Sequence, residues 1–270
     1  MEFDIELASY TDIGKIREKN EDSILISPDL CLGAVADGMG GHNAGEIASN
    51  LAVSILEQTL TDLKEKKIVL PKDYETSYSP VGRKLLYASS LANYRVYTLA
   101  TENIRRTGMG TTLSAIYIED ENNAAIVHIG DSRVYLYRNG LFSQITTDHS
   151  YVQQQVALGN MTKEEAEKSR IQNILMKALG LKQNIKCDII NVKPQIGDIY
   201  ILCSDGVNKG ISDAEILNFL KMNLKPTELC KKIVQTSATI DGKDNTSCVI
   251  VHVCEKQEKT FIDRIKNFFK

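Results

Sequence analysis

The chain has no tryptophan, only five prolines in 270 residues, and no apolar run long enough for a bilayer-spanning helix. Its first residues, MEFDIELASY, are acidic and do not follow the basic, apolar, small-residue order of a secretory signal. Nor is there the basic excess of a nucleic-acid binder: 32 Lys and Arg face 35 Asp and Glu, a formal net charge of −3. Cysteine is present six times, yet no two cysteines stand at the two-residue spacing of a metal knuckle, and a chain of this size needs no disulfide staples. These absences point to a cytoplasmic protein with reduced, partly buried thiols and no nucleic-acid partner. What is present, 43% hydrophobic and 25% charged residues, is the composition of a soluble globular chain with ample sequence for a core.

Periodicity organises the chain into one domain without internal repeats. Residues 23 to 36 read as two short strands, DSILI and LCLGAVA, broken at SPD. Ile47, Leu51 and Ile55 then recur every fourth position with Ala48, Ala52 and Leu56 beside them, which predicts a helix. The polar stretch 64–80 reads as a loop, and a second helix is expected from about Gly82 to Ile104. Four strand-like runs follow closely, TTLSAIYIE, AAIVHIG, RVYLYR and LFSQIT; Asn139-Gly140 marks a type I′ hairpin between the last two. Residues 147–182 read as helical and polar, with a capping box at Thr162 and Glu165. Strands return at CDIINV and DIYILCS. Two helices are then expected, one opened by a capping box at Ser212 and Glu215 and one just after Pro226, before a last strand, SCVIVHV. Strands joined by hairpins, with helices set apart in pairs, indicate an α+β fold with antiparallel sheets packed together and covered by helices.

The acids fall where chemistry would need them. Glu21 and Asp22 lie in REKNED, Asp37 in VADGMGG, Asp131 in HIGDSR, Asp205 in LCSDG and Asp244 in GKDN. An Asp before Gly is by itself an ordinary turn residue. Three of these acids, however, end apolar strand runs, and runs lying side by side in one sheet would bring their ends to one rim. Carboxylates gathered there repel, so one takes up a proton unless a cation neutralises them. Oxygen ligands of this kind suit magnesium or manganese rather than zinc.

Taken in order, REKNED, VADGMGGHNAGE, GMGTT, HIGDSR, LCSDG and DN resemble the protein phosphatase 2C family, in its bacterial wording DGMGGHxAGE. The resemblance runs from about residue 8 to residue 253. It implies a β-sandwich flanked by helices, in four layers α-β-β-α, and hydrolysis of phosphoserine and phosphothreonine on proteins by a metal-bridging hydroxide at a dinuclear Mn2+ or Mg2+ centre. It further implies that Asp37 bridges two ions, that the Gly38 carbonyl binds one of them, and that Asp205 and Asp244 hold the first. Glu21 matches the acid of the second ion, Asp22 the residue that orients the attacking water, and Asp131, with Asp205, a weaker third-ion site. Arg17 occupies the position of the phosphate-binding arginine, whose planar fork grips two oxygens. Glycine beside Asp37 would let backbone approach an ion and leave room for phosphate.

Other residues draw blander expectations. Eukaryotic members carry a histidine directly after the Asp-Gly pair, where this chain has Met39; His42 comes three places later and is expected to be structural. His128 and His252 alternate within strands and read as core or sheet-face residues, while His149 opens the helical stretch. Residues 147–182 correspond to the family's variable flap. The domain is expected to span 1–254. In the tail, 255–270, Phe261, Ile262, Ile265, Phe268 and Phe269 share one helical face opposite Lys259, Arg264, Lys266 and Lys270. That tail would lie on a membrane surface, bind a partner or dock on its own domain. A monomer is expected, acting on phosphorylated proteins opposite a cognate kinase. Two other readings share the same residues: a binding module of this fold with weak catalysis, and a phosphatase of small phosphate esters.

Overall fold

Ten consecutive residues at the N-terminus, Phe3–Asp12, form the first strand, β1, which the sequence reading omits. The computed structural model describes residues 1–41 and 44–256. After β1 come β2 (Asp22–Ser27), β3 (Leu32–Met39), α1 (Ala44–Lys64), α2 (Pro80–Thr101), β4 (Gly110–Thr111), β5 (Leu113–Ile118) and β6 (Ala124–Ile129). The chain continues through β7 (Arg133–Arg138), β8 (Leu141–Gln144), α3 (Tyr151–Ala157), α4 (Lys163–Glu167), β9 (Asp188–Val192) and β10 (Ile199–Cys203). It ends with α5 (Asp205–Gly210), α6 (Asp213–Leu220), α7 (Pro226–Ile240) and β11 (Thr246–Glu255).

The strands form two antiparallel sheets, ordered β1-β11-β10-β7-β8 and β2-β3-β5-β6-β9, with the short β4 paired to β3. Near-continuous apolar runs arise because both faces of each central strand are buried. In β3, Ala34 and Ala36 pack toward α1 and α2, while Val35 faces the second sheet. In β11, Cys248 and Ile250 face α5, α6 and α7, while Val249, Val251 and Val253 point between the sheets. Helix, sheet, sheet and helix layers therefore enclose three apolar strata, the four-layer α-β-β-α arrangement the motifs imply. Period-2 alternation splits each strand between two strata.

Local signals hold where sequence chemistry is strong. Asn139 and Gly140 both take positive φ (51° and 81°) in the turn joining β7 to β8. Both capping boxes form, Thr162 with Glu165 and Ser212 with Glu215. The second helix starts at Pro80 and stops at Thr101, three residues short of the expected Ile104. Residues 147–182 contain only two helices, the seven-residue α3 and the five-residue α4; the remainder is turns, irregular chain and isolated bridges at Ser150, Leu175 and Leu179. Val152 and Ala166 are the buried apolar residues of these two helices, too narrow a stripe to carry a longer helix. The returning chain instead bonds backbone to backbone with β4, Thr111 to Leu179 at 2.9 and 3.0 Å. The amphipathic stretch 257–270 and His42 lie outside the described residues. No helix among the described residues is long and apolar enough to cross a membrane.

Candidate active site

The acids do converge, but not along the rim of a single sheet. Asp37 lies two residues before the end of β3 in one sheet and Asp205 follows β10 in the other, so they meet across the sandwich rather than side by side. Within the first sheet, Asp22 and Asp37 are register partners on β2 and β3 and share the face turned toward the second sheet. A buried hydroxyl then ties the sheets together: Ser204 Oγ donates to Asp22 Oδ2 at 2.7 Å and accepts the Ser247 N–H at 3.0 Å.

The motif GMGTT supplies supports rather than ligands. Thr112 Oγ1 accepts the Asp37 N–H at 2.8 Å and lies 2.7 Å from Ser132 Oγ, which joins Asp37 to the turn carrying Asp131. Thr111 Oγ1 donates to the Asp37 carbonyl at 2.9 Å. His149 accepts the Gly130 N–H at Nδ1 (3.1 Å), faces Asp188 through Nε2 (3.2 Å) and stacks on His128, so it braces the same turn from the flap side. His128 is wholly buried between Ser114 and the Thr147 carbonyl, and burial lowers its pKa to about 4; it is a core residue, as expected. His252 lies on β11 facing Glu6.

Arg17, Glu21 and Asp244 are gathered by one residue, Asn245. Its Nδ2 donates to the carbonyls of Ile13 and Lys19, both at 2.9 Å, and its Oδ1 accepts the Glu21 N–H at 2.8 Å. The loop so clamped presents Arg17 Nη2 to Asp244 Oδ1 at 2.7 Å. Glycine at position 38 has a packing reason the sequence reading does not contain. A Cβ there would stand 2.1 Å from the Gly45 carbonyl oxygen and 2.6 Å from that of Glu21, so the first turn of α1 closes directly onto β3.

Burial and mutual repulsion govern the charges. Asp22 is pushed up to about 7, first by burial and then by Asp205 and Asp244, against hydrogen bonds from Ser247 and Ser204. Asp131 also rises to about 7 through burial, Asp205 and Asp148. Asp37 is held well above the ordinary carboxylate range by burial and by Asp22, Asp205, Asp131 and Asp244. Burial raises Asp205 and Glu21 as well; Lys209 offsets the first, Arg17 and the Gly45 amide the second. Among the described residues, no three His, Cys, Asp or Glu side chains stand around one point at coordinating distance. Lys209, absent from the sequence reading, reaches both Asp205 Oδ2 (2.5 Å) and Asp244 Oδ2 (3.0 Å). Among the described residues, Asp22 Oδ1 and Asp205 Oδ1 are buried without a hydrogen-bond partner. Unpartnered carboxylate oxygens in a cluster this acidic fit a hard divalent cation.

Residues 18–237 match the family model described as Protein phosphatase 2C. The chain belongs to the protein phosphatase 2C family. Membership places it among the protein phosphatases, as the motifs imply. Protein phosphatase PhpP of Streptococcus pneumoniae is 31% identical over 255 residues, covering 93% of this chain and 99% of PhpP. Serine/threonine phosphatase stp of Listeria monocytogenes is 33% identical over 244 residues, 89% of this chain and 93% of stp. The fold superposes on the crystal structure of the Mycobacterium tuberculosis serine/threonine phosphatase PstP with a TM-score of 0.81 at 33% identity, covering 93% of this chain and 99% of that one. The catalytic domain of PstP has also been solved in complex with two manganese ions, and it matches with a TM-score of 0.79 and the same identity and coverage.

Proposed function

We propose that this 2C-family chain hydrolyses phosphoserine and phosphothreonine esters on proteins with manganese or magnesium held by Asp37, the Gly38 carbonyl, Glu21, Asp205 and Asp244, and with a third, weaker ion at Asp131 and Asp205. The observation that carries this reading is the pair of buried, unpartnered oxygens, Asp22 Oδ1 and Asp205 Oδ1, in a cluster of acids drawn from both sheets. The manganese-bound PstP domain supports the choice of metal. When bound, such ions supply Lewis-acid activation of water and neutralise phosphoryl charge.

The protein's own groups do the rest. Asp22, with Oδ2 fixed by Ser204 and Oδ1 free, orients the attacking water and takes its proton at Oδ1. Arg17, with its side chain 47% exposed and its loop clamped by Asn245, binds the phosphoryl oxygens. The substrates are phosphorylated proteins, the opposing activity is a cognate kinase, and the protein acts as a cytoplasmic monomer through a domain spanning 1–254.

The test is hydrolysis of a phosphothreonine peptide by chelator-stripped protein, with and without added manganese, beside Asp37→Asn. Turnover that appears only with manganese and is lost in Asp37→Asn is expected. Metal-independent turnover, or an Asp37→Asn variant as active as the parent at saturating manganese, would overturn the metal assignment. Hydrolysis of free phosphate esters in preference to the peptide would overturn the protein-substrate assignment.

A further inference from the structure

Helix α5 places Lys209 one turn after Asp205. The ammonium reaches back to Asp205 Oδ2 at 2.5 Å and across to Asp244 Oδ2 at 3.0 Å. The side chains of Lys209 and Asp244 are 22% exposed and that of Asp205 19%, so solvent screens this bridge only in part. The other oxygen of Asp244 accepts Arg17 Nη2 at 2.7 Å and the Asn245 N–H at 3.0 Å. The two acids are therefore not equivalent. Asp205 offers Oδ1 without displacing anything, whereas both oxygens of Asp244 already have cationic partners.

We infer that Lys209 is a built-in competitor for the divalent cation: by bridging Asp205 and Asp244 it sets the metal concentration at which the centre loads. The inference rests on the reading of Asp205 and Asp244 as metal ligands. A tethered ammonium acts at high effective concentration. An incoming ion must either displace it from Asp244 or accept a like charge within a few ångströms in a poorly screened site. Lys209 is better suited to this part than Arg17, which among the described residues forms an ion pair with Asp244 alone and is 47% exposed. Loss of the ammonium would not scatter the ligands. Asp205 stays at the head of α5, and Asp244 keeps the Asn245 amide and Arg17.

Calorimetric titration of manganese into the chelator-stripped full chain tests this on the parent, Lys209→Gln, Lys209→Arg and Asp205→Asn. Thermal melting with and without manganese accompanies it. Lys209→Gln should bind manganese about tenfold more tightly, since a repelling charge is gone. It should melt lower than the parent when stripped, and its manganese-induced rise in Tm should be wider. Lys209→Arg, which keeps the charge, should stay within about threefold of the parent. A Lys209→Gln chain that is unfolded when stripped but folds on adding manganese supports the same role. Equal or weaker affinity in folded Lys209→Gln, with parent binding abolished in Asp205→Asn, overturns the competitor and leaves the metal centre standing. No manganese binding by the parent overturns both.

Discussion

At the residue scale, the phosphate-binding role proposed for Arg17 gives the sharpest test of binding phosphate against binding metal. It pairs with Asp244 at 2.7 Å while half its side chain stays in solvent, so the pair itself adds little stability, about 1 kcal/mol at most. Loss of a charge-assisted, two-pronged phosphate contact is larger, about 2–3 kcal/mol, or some tens-fold to a hundred-fold in kcat/KM. Arg17→Ala should therefore keep its Tm and metal stoichiometry, lose activity to that extent and show part of the loss as raised KM. Arg17→Lys should recover only part of it, because the planar fork is missing. Parent-like kcat/KM in both variants would reduce Arg17 to a surface charge. The residues of this centre were legible in the sequence because each acid stands in a short motif with glycine, serine or asparagine beside it. Their supports were not. Ser204 reaches Asp22 across 182 positions, and Asn245 bonds Lys19 across 226, so neither contact leaves any local spacing to read. Lys209 left a weak trace, one helical turn after Asp205, visible only once α5 is known to be a helix.

At the element scale, the sandwich was legible wherever strands were buried on both faces, as in β5 and β6, where every residue is buried. It was not legible at β1, which among the described strands is an edge strand paired with β11 alone. There Phe3, Ile5 and Leu7 alternate with the outward acids Asp4 and Glu6, and the acidic composition hides the period of two. The flap was misread in the other direction. Polar residues with a good capping box announce a helix, but only a turn or so forms where Ala166 is the one buried apolar residue. The junction of β3 with α1 offers a test within a single motif. Gly38→Ala drives a methyl to 2.1 Å from the Gly45 carbonyl oxygen, so α1 must move off the strand. A cost of about 2–4 kcal/mol is expected. Gly41, three residues on, has no atom of the described residues within 4 Å of an added Cβ, and Gly41→Ala should stay within about 0.5 kcal/mol. Denaturant melts of the two stripped variants check both values; equal stabilities would mean that α1 is not seated against Gly38.

At the scale of the whole molecule, folding gathers acids from both sheets at one end of the sandwich, and that couples stability to protons. Asp22 and Asp131 rise from an ordinary 3.8 to about 7, and Asp37, Asp205 and Glu21 rise as well. Between those limits the folded chain holds more protons than the unfolded one, so stability falls as pH rises through the window. The histidines act oppositely. His128, lowered from 6.5 to about 4, and His149, lowered too, leave the unfolded chain with more protons below about pH 6.5 and so cancel part of the slope there. Asp120, Asp241 and Glu215, whose values are lowered, lose their contribution only below about pH 4. The net fall should therefore be steepest from about pH 6.5 to 7.5, where the histidines oppose the acids least. A divalent ion takes the place of those protons, so its stabilising effect should grow over the same interval. Thermal melts of chelator-treated protein from about pH 5 to 8 should show Tm declining, most steeply above about pH 6.5, and added manganese should open a gap that widens with pH. A stripped Tm that stays level or climbs between about pH 6.5 and 7.5 would mean that the acids are ionised without strain in the fold, and that no cation is needed to hold them together.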